Sequence, residues 1–253
     1  MNNEKYLAYP IEIEKELSDF FNINSTLTIF EIGSCDGLDS IKYGRLFKNS
    51  KIFAFEPLLK NFKLIEANIL KHGSKNIIPI QIALSDSIGK VEFHTSSGQP
   101  EEFEDEKKWD YGNKSSSLLP PNKTLELVNW LKFENKEIVD TTTLFEFCKI
   151  KEILLIDFVH MDVQGAELLV LKGAGSRINN IKMIWLEVEN IELYKNQPLK
   201  QDIEKFMKEH HFTKIKDTVN HIAGDQLWVN LKFFPRKNLT NKIWKLYSSL
   251  FKK

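Results

Sequence analysis

The sequence predicts an α/β fold built on a mostly parallel sheet with helices on both faces. Short apolar stretches of strand length alternate with amphipathic stretches of helical length along most of the 253 residues. The apolar stretches are nearly continuous in Ile, Leu, Phe and Val, as expected of strands that helices cover on both sides. No internal repeat is visible, so we expect βαβ units that share one sheet.

The individual elements follow in a regular order. A helix is predicted over residues 10–22, and an additional strand over 86–95 follows a turn. A closing hairpin joins strands 212–219 and 225–230 through the turn 220–224, the first strand parallel to the sheet and the second antiparallel. The five remaining strands are predicted over 27–33, 51–57, 76–84, 153–163 and 181–190.

Composition excludes several classes of protein. The 35 basic and 35 acidic side chains cancel, which argues against a general nucleic-acid binder. Cys35 and Cys148 lie far apart in the sequence, so neither a disulfide framework nor a cysteine metal site is expected. We therefore expect a reducing compartment. The N-terminus lacks a hydrophobic signal segment and no apolar run could span a bilayer. We therefore expect a soluble, cytoplasmic protein.

We expect one domain over residues 1–230, followed by a tail over 231–253. The tail carries seven Lys or Arg and no acid, and its apolar residues recur at helical spacing. A basic amphipathic helix of this kind is typical of peripheral contact with an anionic membrane surface. Docking on its own domain or on a partner subunit of a homo-oligomer is the alternative.

Residues 96–121 are predicted to form a long acidic loop. The stretch is polar and rich in Gly, Ser and Pro, and loops of this length in compact domains are commonly lids, binding segments or disordered. Phe103, Trp109 and Tyr111 interrupt it, and aromatic rings flanked by polar groups suit stacking on a sugar ring. Trp109 and Tyr111 are therefore candidate substrate contacts, and a solvated loop is the alternative.

The turn after the first strand has the character of a cofactor site. In "EIGSCDG", Gly33 and Gly37 stand where the backbone must bend sharply or approach a ligand closely. The second strand ends in Glu56 and Pro57, and an acid at this position can accept hydrogen bonds from both hydroxyls of a ribose. The G-x-x-x-G spacing lacks the third glycine of a dinucleotide site, which favours S-adenosylmethionine over NAD. A ligand-free turn is the alternative.

The end of the predicted third strand completes the expected adenosine site. "IALSD" would place Ala83 and Leu84 against an adenine ring, with Asp86 available to its amino group. A plain strand-to-turn transition is an equal alternative.

Six segments of the chain, taken in order, carry a family resemblance: "EIGSCDG", "FAFEP", "IALSDSIGKVEF", "SSSL", "VDTTTLFEF" and "IDFVHMDVQGAELLVLKGAG". Together they resemble the FkbM family of S-adenosylmethionine-dependent methyltransferases. The resemblance implies the class I methyltransferase fold, Rossmann-like, with seven mostly parallel strands and an antiparallel last strand. It also implies methyl transfer to oxygen, with sugar hydroxyls and polyketide or other natural-product hydroxyls among the acceptors.

Carried over residue by residue, the resemblance places the methionine part of the cofactor at Glu31, Gly33 and Gly37, and the ribose at Glu56. Ser34 belongs to the same turn and is a further cofactor candidate. The sequence departs from the family where Glu31 replaces the more usual Asp. It departs again in "HMDVQG", where His160 and Gln164 replace the usual Lys and Glu.

Candidate catalytic residues are those at the carboxyl ends of the strands, because ligands of open α/β sheets lie there. Asp162 is expected to contact the substrate as a base or orienter, and Gln164 lies beside it. His160 would support Asp162 from beneath or be a hydrogen-bonded core residue. Glu187 would act in the site or form a structural ion pair. His221, in the turn of the last hairpin, would face the cleft or the solvent.

The expected function is transfer of a methyl group from S-adenosylmethionine to a hydroxyl of a sugar, polysaccharide or lipid-linked glycan intermediate. Alternatives are a polyketide or other small natural product as acceptor, a nicotinamide-dependent oxidoreductase, and a non-catalytic binding module of the same fold. No nucleic-acid partner is expected. Asp162 and Glu187 show no metal-specific spacing, so the presence of a divalent metal stays open.

Overall fold

The centre of the molecule is a seven-stranded sheet. The computed structural model describes residues 3–101 and 110–235. The strands of this sheet are β1 (Thr28–Ile32), β2 (Lys51–Phe55), β3 (Ile77–Ile80), β7 (Ile156–Met161), β8 (Ile181–Glu189), β9 (Phe212–Asp217) and β10 (Ala223–Asn230). They lie in the order β3-β2-β1-β7-β8-β10-β9. All neighbouring pairs are parallel except those that β10 forms with β8 and β9, which confirms the predicted antiparallel last strand.

Helices cover both faces of this sheet, as the apolar strands require. One core packs Leu17, Ile41 and Ile65 against β1 and β2, and the opposite core packs Leu171 and Ile203 against β7 and β8. The predicted helix over 10–22 is shorter, and a further helix precedes it. The helices are α1 (Asn3–Ala8), α2 (Glu14–Phe20), α3 (Leu38–Leu46), α4 (Leu59–His72), α5 (Thr124–Leu127), α6 (Leu144–Ile150), α7 (Glu167–Gly173) and α8 (Lys200–Glu209).

A second sheet has three strands and corrects the prediction over residues 76–84. β3 ends at Ile80, and β4 (Ala83–Ser85) pairs with β6 (Lys132–Thr143), which pairs in turn with β5 (Gly89–Ser97). The segment 76–84 reads as one largely apolar strand, because a single polar residue, Gln81, does not by itself mark the point where the chain changes sheets. β6 was not predicted, because most of its side chains are exposed and polar.

Part of the predicted loop over 96–121 forms regular structure. A 3₁₀ turn spans Tyr111–Ser115, and Ser117 forms an isolated β-bridge with His94. Phe103 and Trp109 lie outside the described residues, as does the tail from residue 236 onward. In the part of the chain that the structure describes, no helix combines the length and the apolar character that crossing a membrane needs. The predictions of a cytoplasmic location and of membrane contact through the tail stay predictions.

Candidate functional site

A cavity opens at the carboxyl ends of β1, β2 and β7. It holds about 530 Å³ of space, including its opening to solvent. Its lining brings together residues far apart in sequence, since these strands end at the same edge of the sheet. The lining residues used below are Gly33, Cys35, Glu56, Pro57, Asn61, Ala83, Leu84, Phe93, Asn113, Lys114, Ser116, Leu118, Asp162 and Gln164.

The turn after β1 needs glycine for two reasons. Gly33 has a φ of 88° and Gly37 a φ of 73°, both in the left-handed region that favours glycine. A Cβ added at Gly33 would also overlap the carbonyl oxygen of Asp162. The backbone N–H groups of Gly33 and Ser34 both donate to the carbonyl of Phe55, at 3.1 and 2.9 Å. The turn therefore packs against the ends of two neighbouring strands at once.

Glu56 presents a buried carboxylate to the cavity. It is 5% exposed, and its two oxygens accept hydrogen bonds of 2.9 Å from the backbone N–H groups of Cys35 and Leu58. Burial raises the pKa of Glu56 to about 7, although these hydrogen bonds favour the carboxylate. Pro57 follows it in the lining. A carboxylate fixed in this way fits the predicted role of holding a ribose diol.

The raised pKa of Glu56 predicts a pH-dependent stability difference between the wild type and Glu56→Gln. The unfolded chain releases this proton near pH 4.5 and the folded protein near 7, so the folded state binds more protons in between. Wild-type stability relative to the variant should therefore fall by up to about 3 kcal/mol as the pH rises from about 5 to 8. Urea unfolding of the ligand-free proteins at several pH values measures this difference.

The matched control is Glu66→Gln, at an exposed position on α4. Its stability difference from the wild type should stay constant over the same pH range. A constant difference for Glu56→Gln as well would contradict the raised pKa of buried Glu56.

The apolar end of the cavity comes from the second sheet. Ala83 and Leu84 on β4 and Phe93 on β5 are buried and form an apolar slot in its lining. Asp86, the predicted partner of the adenine amino group, is exposed and outside the lining residues. The contact of adenine with Ala83 and Leu84 and the role of Asp86 stay predictions.

The 3₁₀ turn Tyr111–Ser115 contributes lining residues that the sequence did not reveal. Asn113 is buried, and its amide donates to the side-chain oxygen of Asn61 on α4. Lys114 and Ser116 follow it in the lining. Tyr111, the predicted substrate contact, is half-buried at the start of the turn and is not among the lining residues.

Glu31 lies beneath the cavity lining. It is 3% exposed and accepts a short hydrogen bond from the Ser40 hydroxyl, while the Ser34 hydroxyl donates to its backbone carbonyl at 3.0 Å. Burial raises its pKa well above the ordinary value, and the nearby charge of Asp39 adds to this. Glu31, Ser34 and Gly37 shape the turn from below, and their predicted direct contact with the cofactor stays a prediction.

His160 lies beside Glu31 and not beside Asp162. The two residues are opposite each other in the register of β1 and β7, and their ligand atoms and those of Asp39 all lie within 4.8 Å of one another. The Nδ1 of His160 is buried, and within residues 3–101 and 110–235 it has no hydrogen-bond partner. The expected support of Asp162 is therefore not seen, because β7 ends at Met161 and strand alternation no longer fixes the direction of residue 162. These three donors could hold a cation.

Asp162, Gln164 and Glu187 meet at the mouth of the cavity. The side-chain amide of Gln164 donates to Asp162 Oδ1 at 2.6 Å and to Glu187 Oε2 at 3.1 Å. Asp162 is exposed, whereas Glu187 is partly buried and is not among the lining residues. Burial raises the pKa of Glu187 well above its ordinary value, and the charge of Asp162 adds to the effect. The three side chains form one hydrogen-bonded acidic unit.

A buried scaffold holds Gln164 in place. Gln164 has a φ of 55°, and the Glu167 carboxylate accepts from the backbone N–H groups on either side of it, Val163 at 3.0 Å and Gly165 at 3.3 Å. Tyr194 Oη lies 2.9 Å from Gln164 Oε1 and 2.8 Å from the Ser115 carbonyl.

His221 is exposed in the turn of the last hairpin. Asp225 of β10, on the same hairpin, is the residue opposite Glu187 in the register of β8 and β10. The structure therefore joins Asp162, Gln164 and Glu187 but places His221 outside the cavity lining.

Comparison with known proteins agrees with this geometry. A family model described as the methyltransferase FkbM domain matches residues 31–214. The 2-O-methyltransferase NoeI of Sinorhizobium fredii (strain NBRC 101917 / NGR234) is 29% identical over 205 residues, which are 81% of this chain and 79% of that protein. The methyltransferase sdnD of Sordaria araneosa is 24% identical, with 79% of this chain and 78% of that protein covered.

A solved structure shows the same fold. The methyltransferase FkbM from Methylobacillus flagellatus KT superposes with a TM-score of 0.52 at 12% identity, and the match covers 90% of this chain and 50% of that one. The seven-stranded sheet is that of a class I methyltransferase, and S-adenosylmethionine is the methyl donor of the family. The chain belongs to the FkbM family of S-adenosylmethionine-dependent methyltransferases.

Proposed function

We propose that this methyltransferase acts on a hydroxyl oxygen of a sugar, polysaccharide or lipid-linked glycan. The observation that carries the proposal is the hydrogen-bonded unit of Asp162, Gln164 and Glu187 at the cavity mouth. Adjacent hydroxyl groups of a sugar offer several donors and acceptors, and carboxylates flanking an amide match that pattern. The bound cofactor supplies a methyl group activated by its positively charged sulfur.

Asp162 is the residue that we assign to the acceptor hydroxyl. It lines the cavity and reaches solvent, so an acceptor can approach its free carboxylate oxygen. An alcohol is a weak nucleophile until its proton is drawn toward a base within hydrogen-bond reach. Gln164 holds the other oxygen of Asp162 and thereby fixes the direction of the carboxylate. Glu187 acts behind Gln164, as the second acceptor of its amide.

The sequence relatives support oxygen as the atom methylated. NoeI is named a 2-O-methyltransferase, and its match spans most of both chains. The name of sdnD gives the reaction class without the acceptor. A polyketide or another small natural product is therefore the competing acceptor.

The proposal is tested by screening acceptors for release of S-adenosylhomocysteine. The panel contains nucleotide sugars, lipid-linked saccharides and hydroxylated natural products, each incubated with the protein and S-adenosylmethionine. We expect turnover with at least one saccharide and none with the corresponding deoxy sugar that lacks the methylated hydroxyl. Turnover confined to the natural products would contradict the glycan acceptor.

A further inference from the structure

Lys114 brings a positive charge to a cavity whose surroundings are acidic. It lies in the 3₁₀ turn Tyr111–Ser115 and lines the cavity between Asn113 and Ser116. Among the described residues that line this cavity, it is the only Lys, Arg or His. A ligand with one anionic group would therefore meet one cationic side chain here.

The position of Lys114 places this charge at the glycine-turn end of the cavity. Its Nζ lies 5.6 Å from the ring centre of Tyr6 on α1, and the Tyr6 hydroxyl donates to Asp39 of α3 at 2.6 Å. Asn113, next to it in the turn, reaches to within 3.9 Å of Cys35 Sγ in the loop after β1. The lysine thus lies beside the same loop as Gly33, away from the apolar slot formed by the second sheet.

The charges around Lys114 keep it protonated. Partial desolvation acts to lower the pKa of Lys114, a residue that stays exposed to solvent, but the carboxylates of Asp36 and Asp39 raise it above its ordinary value. Asp36 is itself buried, with its Oδ1 3.2 Å from the backbone N–H of Leu38. Lys114 therefore brings an ammonium group to the cavity lining next to several carboxylates. Lys42, whose Nζ lies 3.6 Å from the Tyr6 ring centre, is a second ammonium group nearby and is not among the lining residues.

This charge pattern complements a zwitterion. With adenine in the apolar slot and the ribose at Glu56, the remaining turn end is left for the amino-acid part of the cofactor. That part carries an α-ammonium group and an α-carboxylate, and the carboxylate is the only negative group of S-adenosylmethionine. We propose that Lys114 binds the α-carboxylate of the methionine moiety of the cofactor. The inference rests on the cofactor and not on the identity of the acceptor.

The assignment gives the segment 111–117 two roles. Lys114 contacts the cofactor, whereas the Ser117 hydroxyl donates to the Gln164 carbonyl at 2.7 Å and the Ser115 carbonyl accepts from Tyr194 at 2.8 Å. The segment therefore touches the cofactor end and the acceptor mouth through neighbouring residues.

The test compares two ligands that differ in the amino-acid part. S-adenosylhomocysteine keeps the α-carboxylate, and 5′-methylthioadenosine lacks the whole amino-acid group. Calorimetric titration of Lys114→Met should show S-adenosylhomocysteine binding weakened by about 10- to 100-fold, the size expected for a lost charge-assisted hydrogen bond. Binding of 5′-methylthioadenosine should stay within about twofold of the wild type, which also shows that the variant is folded.

Lys63→Met is the matched control, because it removes the same charge from an exposed position on α4. Its affinity for both ligands should equal that of the wild type. Equal losses of both ligands in Lys114→Met, or no loss of either, would overturn the proposal. Neither outcome depends on finding the methyl acceptor, so failure here is distinguishable from failure of the proposed function.

Discussion

Asp162→Asn is expected to lower kcat by about 10²- to 10⁴-fold, the contribution typical of a positioned general base. The substitution keeps the size of the side chain and an oxygen that can accept from Gln164 Nε2, which lies 2.6 Å from Oδ1 in the wild type. What it removes is the negative charge that draws the proton from the acceptor hydroxyl. Cofactor binding should change little, because Asp162 is assigned to the acceptor.

The measurement pairs steady-state rates on the identified acceptor with calorimetric titration of S-adenosylhomocysteine. Asp140→Asn is the control, since Asp140 is an exposed residue of β6 whose ion pair with Lys90 lies in the second sheet. It should retain wild-type rates. If Asp162→Asn kept its rate within about threefold, or lost cofactor affinity in proportion to its rate, the role given to Asp162 would be wrong.

Gly33→Ala is expected to destabilise the folded protein by about 3 kcal/mol or more and to abolish cofactor binding. An alanine Cβ would overlap the Asp162 carbonyl oxygen, so the ends of β1 and β7 would have to separate. The φ of 88° adds the strain of a left-handed backbone. Moving these strand ends would also move Asp162 away from the cavity.

Gly73→Ala separates the two contributions. Gly73 has a φ of 63° after α4, and a Cβ there would meet nothing within 4 Å. It should therefore show the backbone strain alone, about 1 kcal/mol, and retain cofactor affinity. Urea unfolding and titration with S-adenosylhomocysteine measure both effects. Equal destabilisation by the two substitutions would show that close packing of the strand ends is not what Gly33 provides.

The main sheet was predictable from the sequence, because its strands are buried on both faces and read as continuous apolar runs. Phe30, Phe158 and Ile184, each fully buried, belong to such runs in β1, β7 and β8. The same logic failed for β6, because most of this strand has no buried face: Lys136 and Ile138, for example, are both exposed. It also failed at Gln81, a single polar residue between apolar neighbours, where the chain leaves one sheet for the other.

The candidate site was predictable at positions directly after a strand, where the type of residue itself indicates its role. Glu56 and Gly33 follow directly from their positions after β2 and β1, and both line the cavity. The place of Lys114 in the cavity lining could not be predicted, because it reaches the cavity through a 3₁₀ turn that follows a polar stretch without periodicity. The direction of His160 toward Glu31 was equally hidden, since it depends on the register between β1 and β7.

We expect the hydrogen-bonded unit of Asp162, Gln164 and Glu187 to direct the methyl group to an oxygen. S-adenosylmethionine labelled with ¹³C at the methyl group tests this, because NMR locates the label in the product. The expected result is a label on a sugar hydroxyl oxygen, one equivalent of S-adenosylhomocysteine per label, and loss of the labelled product in Asp162→Asn. A label on nitrogen, carbon or sulfur would contradict it.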